Sequence, residues 1–303
     1  MLAGNFMVTA SDAMNKLLLD RLSAAQIVLI EALFAVVALV AISPWLGPRR
    51  VFFAVNWKWQ LLRAVLTVAS VYFFMMGLSG LPLSTVGVLS FANPLFITAL
   101  APWILGERRG MHHWAAVLVG FGGVVIVAQP STSGFSYLVI YPLASALCGA
   151  VRDLVTRRMG THDMSQSMMF YSMLGLIFAS LIAVRGDAIA VPARDFLLIT
   201  AASAAYLIGL YCVIEALRAA EVSTVAPFKY SNLVWVTAFD VILWGHVPGW
   251  NVFVGAGVII AAMLYVYRRE RAIYPTETDL LLTPVFRADN VPATSVTSTC
   301  DEP

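Results

Sequence analysis

Five apolar segments of this chain carry polar side chains three and four residues apart, the spacing that stacks residues on one face of a helix. Asn5, Thr9, Asp12 and Lys16 form one stripe, Arg63, Thr67 and Ser70 a second, and Tyr141, Ser145, Cys148 and Arg152 a third. Tyr211, Glu215 and Arg218 form a fourth, and Lys229, Asn232 and Asp240 a fifth. An ionisable group in hydrocarbon costs about 2.5–3.5 kcal/mol on insertion scales, so such stripes face a bundle interior or a wet cavity. The chemistry they offer is recognition of a small charged or aromatic solute and carriage of protons. Asp12 and Lys16, four apart, can pair. Glu215 and Asp240 are the candidate proton carriers, because a carboxylate shielded from water can gain and lose a proton near neutral pH.

Each group also has a plainer structural reading. Asp12 with Lys16 is equally a static ion pair, and Arg63 and Arg152 lie near helix ends where long side chains snorkel. Asn93 and Asn232 suit interhelical hydrogen bonding. Tyr72 and Tyr211 are buried aromatics first, although their shared position in a repeat favours a cavity wall. Glu31 stands alone in its segment. No glycine-rich phosphate loop, nucleophile with a matching base, or metal-ligand spacing is visible, so neither a catalytic site, a cofactor nor a metal is expected. His112 and His113 read as part of a solvated turn beside Arg108 and Arg109. Cys148, Cys212 and Cys300 show no pairing pattern.

The elements that must position these groups are membrane helices. Hydrophobic residues make up 60% of the 303 and charged residues only 12%, about half the share of a soluble domain. The net charge of +2 carries no nucleic-acid signal. Apolar runs of spanning length recur at 3–19, 24–43, 59–79, 83–105, 113–129, 137–157, 165–184, 196–217, 222–244 and 250–267. The first reads as a spanning helix rather than a removed signal peptide. Connections such as Gly80-Leu81-Pro82 leave no room for an extramembrane domain, and the polar residues 272–303 read as a disordered tail. With the N-terminus inside, the inner loops hold Arg49, Arg50, Lys58, Arg108, Arg109, Arg157, Arg158, Arg218, Arg268, Arg269 and Arg271. The outer loops hold Arg21, Arg185 and Arg194, so both termini are expected in the cytoplasm. Gly120, Gly122, Gly123, Gly255 and Gly257 suit close helix packing.

The chain also repeats itself. Shifted by 139 positions, residues 78–128 fall on 217–267 without a gap. Ser84-Thr85-Val86 then meets Ser223-Thr224-Val225, Asn93 meets Asn232, Thr98-Ala99 meets Thr237-Ala238, and Gly106 meets Gly245. Each copy has five spans, an odd number, so the second enters the bilayer inverted. Many secondary transporters build two gates around a central site from such repeats. The expected fold is an all-α integral membrane protein of ten transmembrane helices in two inverted five-helix repeats, residues 1–130 and 136–268.

The stretches LPLSTVGVLSFANPLFITALAPWILGERRG from Leu81 and APFKYSNLVWVTAFDVILWGH from Ala226 resemble the EamA family of the drug/metabolite transporter superfamily, as does SDAMNKLLLDRL near the start. The resemblance covers residues 1 to about 270. It implies a central cavity walled mainly by spans one, three, four, six, eight and nine. It implies substrate contacts at Asp12, Lys16, Tyr72, Phe91, Asn93, Arg152, Tyr211, Lys229, Tyr230 and Asn232. It also implies a secondary carrier of a small organic metabolite in a bacterial inner membrane, monomeric or homodimeric, working by alternating access, proton-coupled or facilitated. A riboflavin-like substrate is slightly favoured, with an amino-acid-like metabolite or S-adenosylmethionine as the alternative. A lipid-modifying enzyme or a non-transporting scaffold is more remote. The sequence departs from the family at Glu31, Asp240 and Gly245-His246.

Overall fold

The computed structural model of the chain describes residues 1–46, 56–105, 111–129, 136–159, 165–184, 191–219 and 231–273, and among them there is no strand. The helices are α1 (Leu2–Leu19), α2 (Ala24–Leu46), α3 (Trp57–Gly80), α4 (Leu83–Ser90), α5 (Ala92–Leu105), α6 (Met111–Ala128), α7 (Ile140–Met159), α8 (Ser165–Ala183), α9 (Ala193–Ala219), α10 (Asn232–Trp244) and α11 (Trp250–Ile273). Five stretches, 24–41, 57–80, 83–104, 137–159 and 193–212, are long and apolar enough to cross a bilayer. The apolar helices at 114–128, 167–183, 232–244 and 250–266 are shorter in their described portions. The chain is thus a multi-pass, all-α membrane protein.

The run expected as one span at 83–105 is two helices. α4 stops at Ser90 and α5 starts at Ala92, with Phe91 as the joint. Pro94 has no N–H to give the Ser90 carbonyl four residues back, so the hydrogen-bond ladder breaks there. α10 ends in a left-handed Gly245 (φ 67°), and the Gly245 and His246 N–H groups close onto the Val241 and Asp240 carbonyls. Glycine adopts that φ without strain, which gives Gly245 a backbone purpose.

Helix α6 lies along α11, α2 along α8, and α4 along α10. Extensive contacts also join α1 with α9, α3 with α7, α5 with α7 and α3 with α8. The main core gathers Leu78, Leu83, Val86, Leu89, Leu95, Val236 and Ile259, from α3 to α6 and from α10 and α11. Small residues mark the closest crossings. A Cβ on Gly255 would lie 2.6 Å from the Gly123 carbonyl oxygen, and one on Gly209 would lie 2.8 Å from that of Gly4. Gly122 and Gly257 face open space instead, so the close packing expected of the glycine groups holds for Gly123 and Gly255 but not for these two.

Candidate functional site

A cavity of about 550 Å³ opens among α1, α2, α3, α7, α8 and α9. Its wall mixes aliphatic and Met side chains with serines, threonines and charged groups, and Phe74 and Tyr206 are its aromatic side chains. Five charged residues border it: Asp12 from α1, Glu31 from α2, Arg63 from α3, and Arg152 and Asp153 from α7. α3 and α7 are locked side by side, with the Ser70 hydroxyl donating to the Ser145 carbonyl (3.0 Å) and the Ser145 hydroxyl to the Ser70 carbonyl (2.7 Å). This fixes the two helices that carry the cationic groups.

Arg63 does not snorkel. Its Nε donates to Thr156 Oγ1 (3.0 Å), and its Nη1 donates to the Met168 carbonyl and Ser172 Oγ (2.7 Å each). The guanidinium therefore ties α3 to both α7 and α8. Arg63→Ala removes three charge-assisted hydrogen bonds, each contributing about 1.5–3 kcal/mol. The unfolding temperature in detergent, followed by tryptophan fluorescence, is expected to fall. Arg63→Lys should recover only part, because an ammonium on a flexible stem lacks the fork that reaches all three acceptors. Full recovery with Lys would show that the charge, not the fork, is what matters.

Arg152 forms an ion pair with its neighbour Asp153 at 2.9 Å. Both side chains are partly exposed, at 29% and 41%, so the pair holds itself weakly and leaves guanidinium donors for a solute. On the opposite wall Asn15 Nδ2 donates to Glu31 Oε1 at 2.9 Å. Asn15 is buried at 4% exposure, and its Oδ1 has no hydrogen-bond partner. Asp12, one helical turn before Asn15, faces the same space and has no hydrogen-bond or ion-pair partner among the described residues.

Of the residues expected to contact substrate, Asp12 and Arg152 border this cavity. Lys16 does not, and the expected Asp12–Lys16 pair is not formed. The Lys16 ammonium donates to the Leu81 carbonyl and sits 5.0 Å from the Trp244 ring centroid. The α3–α4 turn supplies the Leu81 carbonyl and α10 an aromatic face, and together they draw the side chain away from Asp12. Tyr72 is also outside the cavity, its hydroxyl 2.8 Å from Ser180 Oγ between α3 and α8. Tyr211 is 66% exposed and does not border this cavity either, so the two tyrosines do not form a matched pair in its wall. Phe91 packs against the main core at the α4–α5 joint. Asn93 Nδ2 donates to the Ala146 carbonyl (3.3 Å), and Asn232 Oδ1 accepts from the Thr9 hydroxyl, which is the helix-bridging use of both amides. Lys229, Tyr230 and the Glu215 side chain lie outside the described residues.

Asp240 is fully buried away from the cavity. Its two carboxylate oxygens accept the Leu83 N–H (3.0 Å) and the Ser84 N–H (2.7 Å). These are orphan donors of the first turn of α4, whose N-cap is Pro82 and has no capping side chain of its own. A carboxylate supplied by α10 takes the place of a local cap.

Spans two and seven, absent from the expected wall, supply Glu31 and Ser172, whereas the described parts of spans four and nine supply none of the lining residues. Glu31 was open to detection: it is the one charge in a segment of mean hydropathy 2.4. A lone ionisable residue in such a segment marks a functional position by default.

The model of the EamA-like transporter family matches residues 1–129 and 136–268. An S-adenosylmethionine uptake transporter of Rickettsia prowazekii (strain Madrid E) is 26% identical over 88% of this chain and 90% of its own. A riboflavin transporter of Vibrio cholerae is 25% identical over 83% and 88%. A pseudopaline exporter of Pseudomonas aeruginosa is 24% identical over 70% and 75%. One solved crystal structure superposes with a TM-score of 0.57 at 16% identity, covering 89% of this chain and 98% of that one, and it speaks for the fold alone.

Proposed function

The chain belongs to the EamA-like transporter family, and from that premise we propose that it is a secondary carrier that moves a small organic metabolite across the bacterial inner membrane through the cavity between α1, α2, α3, α7, α8 and α9. The observation that carries this reading is the placement of ionisable side chains from both sequence halves around one enclosed space. Ionisable groups in membrane helices face a bundle interior or a water-filled cavity, and a cluster of them around one space marks a solute path.

Alternating access by two inverted repeats is the mechanism we infer. Exchanging each span with the one five places later turns the α1–α9 contact into α7–α3, α2–α9 into α8–α3, and α1–α10 into α7–α5, and all of these contacts exist. The same exchange maps α6–α11 and α2–α8 onto themselves. The 139-residue shift carries Ser70, where α3 meets α7, onto Gly209, where α9 meets α1. The arginine and lysine distribution supports cytoplasmic termini. On that orientation Lys16 with Leu81 joins helices on the periplasmic side, and this contact parts when the carrier opens outward.

An amino-acid-like metabolite with a cationic centre, such as S-adenosylmethionine, suits the cavity better than riboflavin. Five charged groups line it against two aromatics, whereas a flat neutral ring system calls for stacking faces. The test is tracer exchange in proteoliposomes. Labelled S-adenosylmethionine is expected to exchange saturably. Removal of one charge-assisted contact in Arg152→Ala should weaken half-saturation by about tenfold or more. Riboflavin exchange insensitive to S-adenosylmethionine would reverse the choice of substrate.

A further inference from the structure

We propose that Asp12, Glu31 and Asn15 form a binding site for a single positive charge in the wall of the cavity, an assignment that rests on the carrier reading above. Three observations lead there. The cavity holds three carboxylates, Asp12, Glu31 and Asp153, against two guanidiniums, Arg63 and Arg152, so its own charges leave a formal excess of one negative. Both guanidiniums are engaged away from Asp12 and Glu31: Arg63 by Thr156, Met168 and Ser172, and Arg152 by Asp153. Lys16, the ammonium nearest in sequence, is committed to the Leu81 carbonyl and Trp244. Tyr206 of α9 is the remaining titratable side chain of the wall, and it is neutral as a phenol.

The independent mark of a missing ligand is Asn15. Its amide nitrogen is spent on Glu31, while its oxygen is buried with nothing donating to it. A buried amide oxygen without a donor costs about 1–3 kcal/mol, and Asn15 borders the same cavity as the two carboxylates. Two carboxylates and one carbonyl-type oxygen, on adjacent helices and with the Asn15 amide N–H as the donor among them, make a set of hard oxygen ligands for a cation. The charge comes either from the cationic centre of the transported metabolite or from a free monovalent ion, sodium or a proton, that travels with or against it. Both sources present the same chemistry to these oxygens.

The full-length protein in detergent is titrated at fixed ionic strength in three ways: with sodium chloride against N-methylglucamine chloride, with S-adenosylmethionine against S-adenosylhomocysteine, which lacks the sulfonium charge, and with pH. Tryptophan fluorescence and unfolding temperature are the readouts. A saturable response to at least one cation is expected. It should weaken by about tenfold or more in Glu31→Gln, largely survive in Glu31→Asp, and be unchanged in Asp195→Asn, a carboxylate paired with Arg21 outside the cavity. Should Glu31→Gln fail to fold, Asn15→Ala, which removes the orphan oxygen, takes its place with the same expected loss. A response confined to S-adenosylmethionine assigns the charge to the metabolite, and one confined to sodium or protons assigns it to a free ion. No saturable response, or one that Glu31→Gln leaves intact, overturns the site. Tracer exchange that persists without any cation response sinks the site and leaves the carrier standing. A cation response in a protein that exchanges neither S-adenosylmethionine nor riboflavin supports the site and counts against the proposed substrates.

Discussion

Gly255→Ala is expected to lower the stability of the bundle, and Gly255→Val to prevent recovery of folded protein. A Cβ at this position would lie 2.6 Å from the Gly123 carbonyl oxygen, 2.4 Å from Val127 Cγ2 and 3.2 Å from the Val127 nitrogen. The first and third of these are backbone atoms, so no rotamer relieves the contact, and α6 and α11 must move apart. Membrane helices gain little from hydrophobic burial against one another and depend on close packing. Overpacking costs about 1–3 kcal/mol for one added methyl, and more for a branched side chain. Against this, replacing a helical glycine with alanine gains about 0.5–1 kcal/mol from the unfolded chain and helix propensity. The sign is therefore decided by the space available. Gly257→Ala on the same helix and Gly122→Ala on α6 meet nothing within 4 Å, so both should be neutral or slightly stabilising. Unfolding temperatures of the three alanine variants in one detergent provide the check. Equal values for Gly255→Ala and Gly257→Ala would mean that the α6–α11 crossing is not a tight one.

The glycine pattern shows how far a sequence carries. Spacing identifies residues that share a helical face, and on that basis Asp12, Arg63, Ser70, Ser145 and Arg152 were legible as polar faces of spans one, three and six, all of which border the cavity. Spacing does not say which neighbour a face meets. Asp240 belongs to a polar stripe as Asp12 does, yet its face meets the start of α4 and its charge is used to cap a helix. Lys16 shares a face with Asp12, but a turn carbonyl and an indole compete for it. Tyr72 and Tyr211 share a repeat position and differ in surroundings, one bonded to Ser180 and the other exposed. Glu31 has no stripe at all, because its partner Asn15 comes from another helix. The all-helical, multi-pass character follows from hydropathy, whereas the α4–α5 joint follows from one proline that hydropathy does not weigh.

Asp12 and Asp240 should respond to the same substitution in opposite ways. Asp12 faces the cavity without a partner among the described residues, so ionising it within the membrane would cost about 2.5–3.5 kcal/mol on insertion scales. Asp12→Asn removes that charge at nearly constant volume. The unfolding temperature should stay level or rise, while tracer exchange falls by about tenfold or more for the loss of one charged contact. Asp240→Asn keeps shape too, but its amide offers one acceptor and one donor where two buried backbone N–H groups require two acceptors. One N–H of α4 is left orphaned and faces another donor, a loss of about 1–3 kcal/mol. Its unfolding temperature should drop, and the protein that remains folded should exchange tracer with wild-type half-saturation. Unfolding and exchange measured on both variants in parallel settle the division. Loss of exchange affinity in Asp240→Asn at unchanged stability would return that carboxylate to the transport machinery. Loss of stability in Asp12→Asn would mean that its charge is satisfied within the fold, and the cavity would then lack the free carboxylate that draws a cationic solute inward.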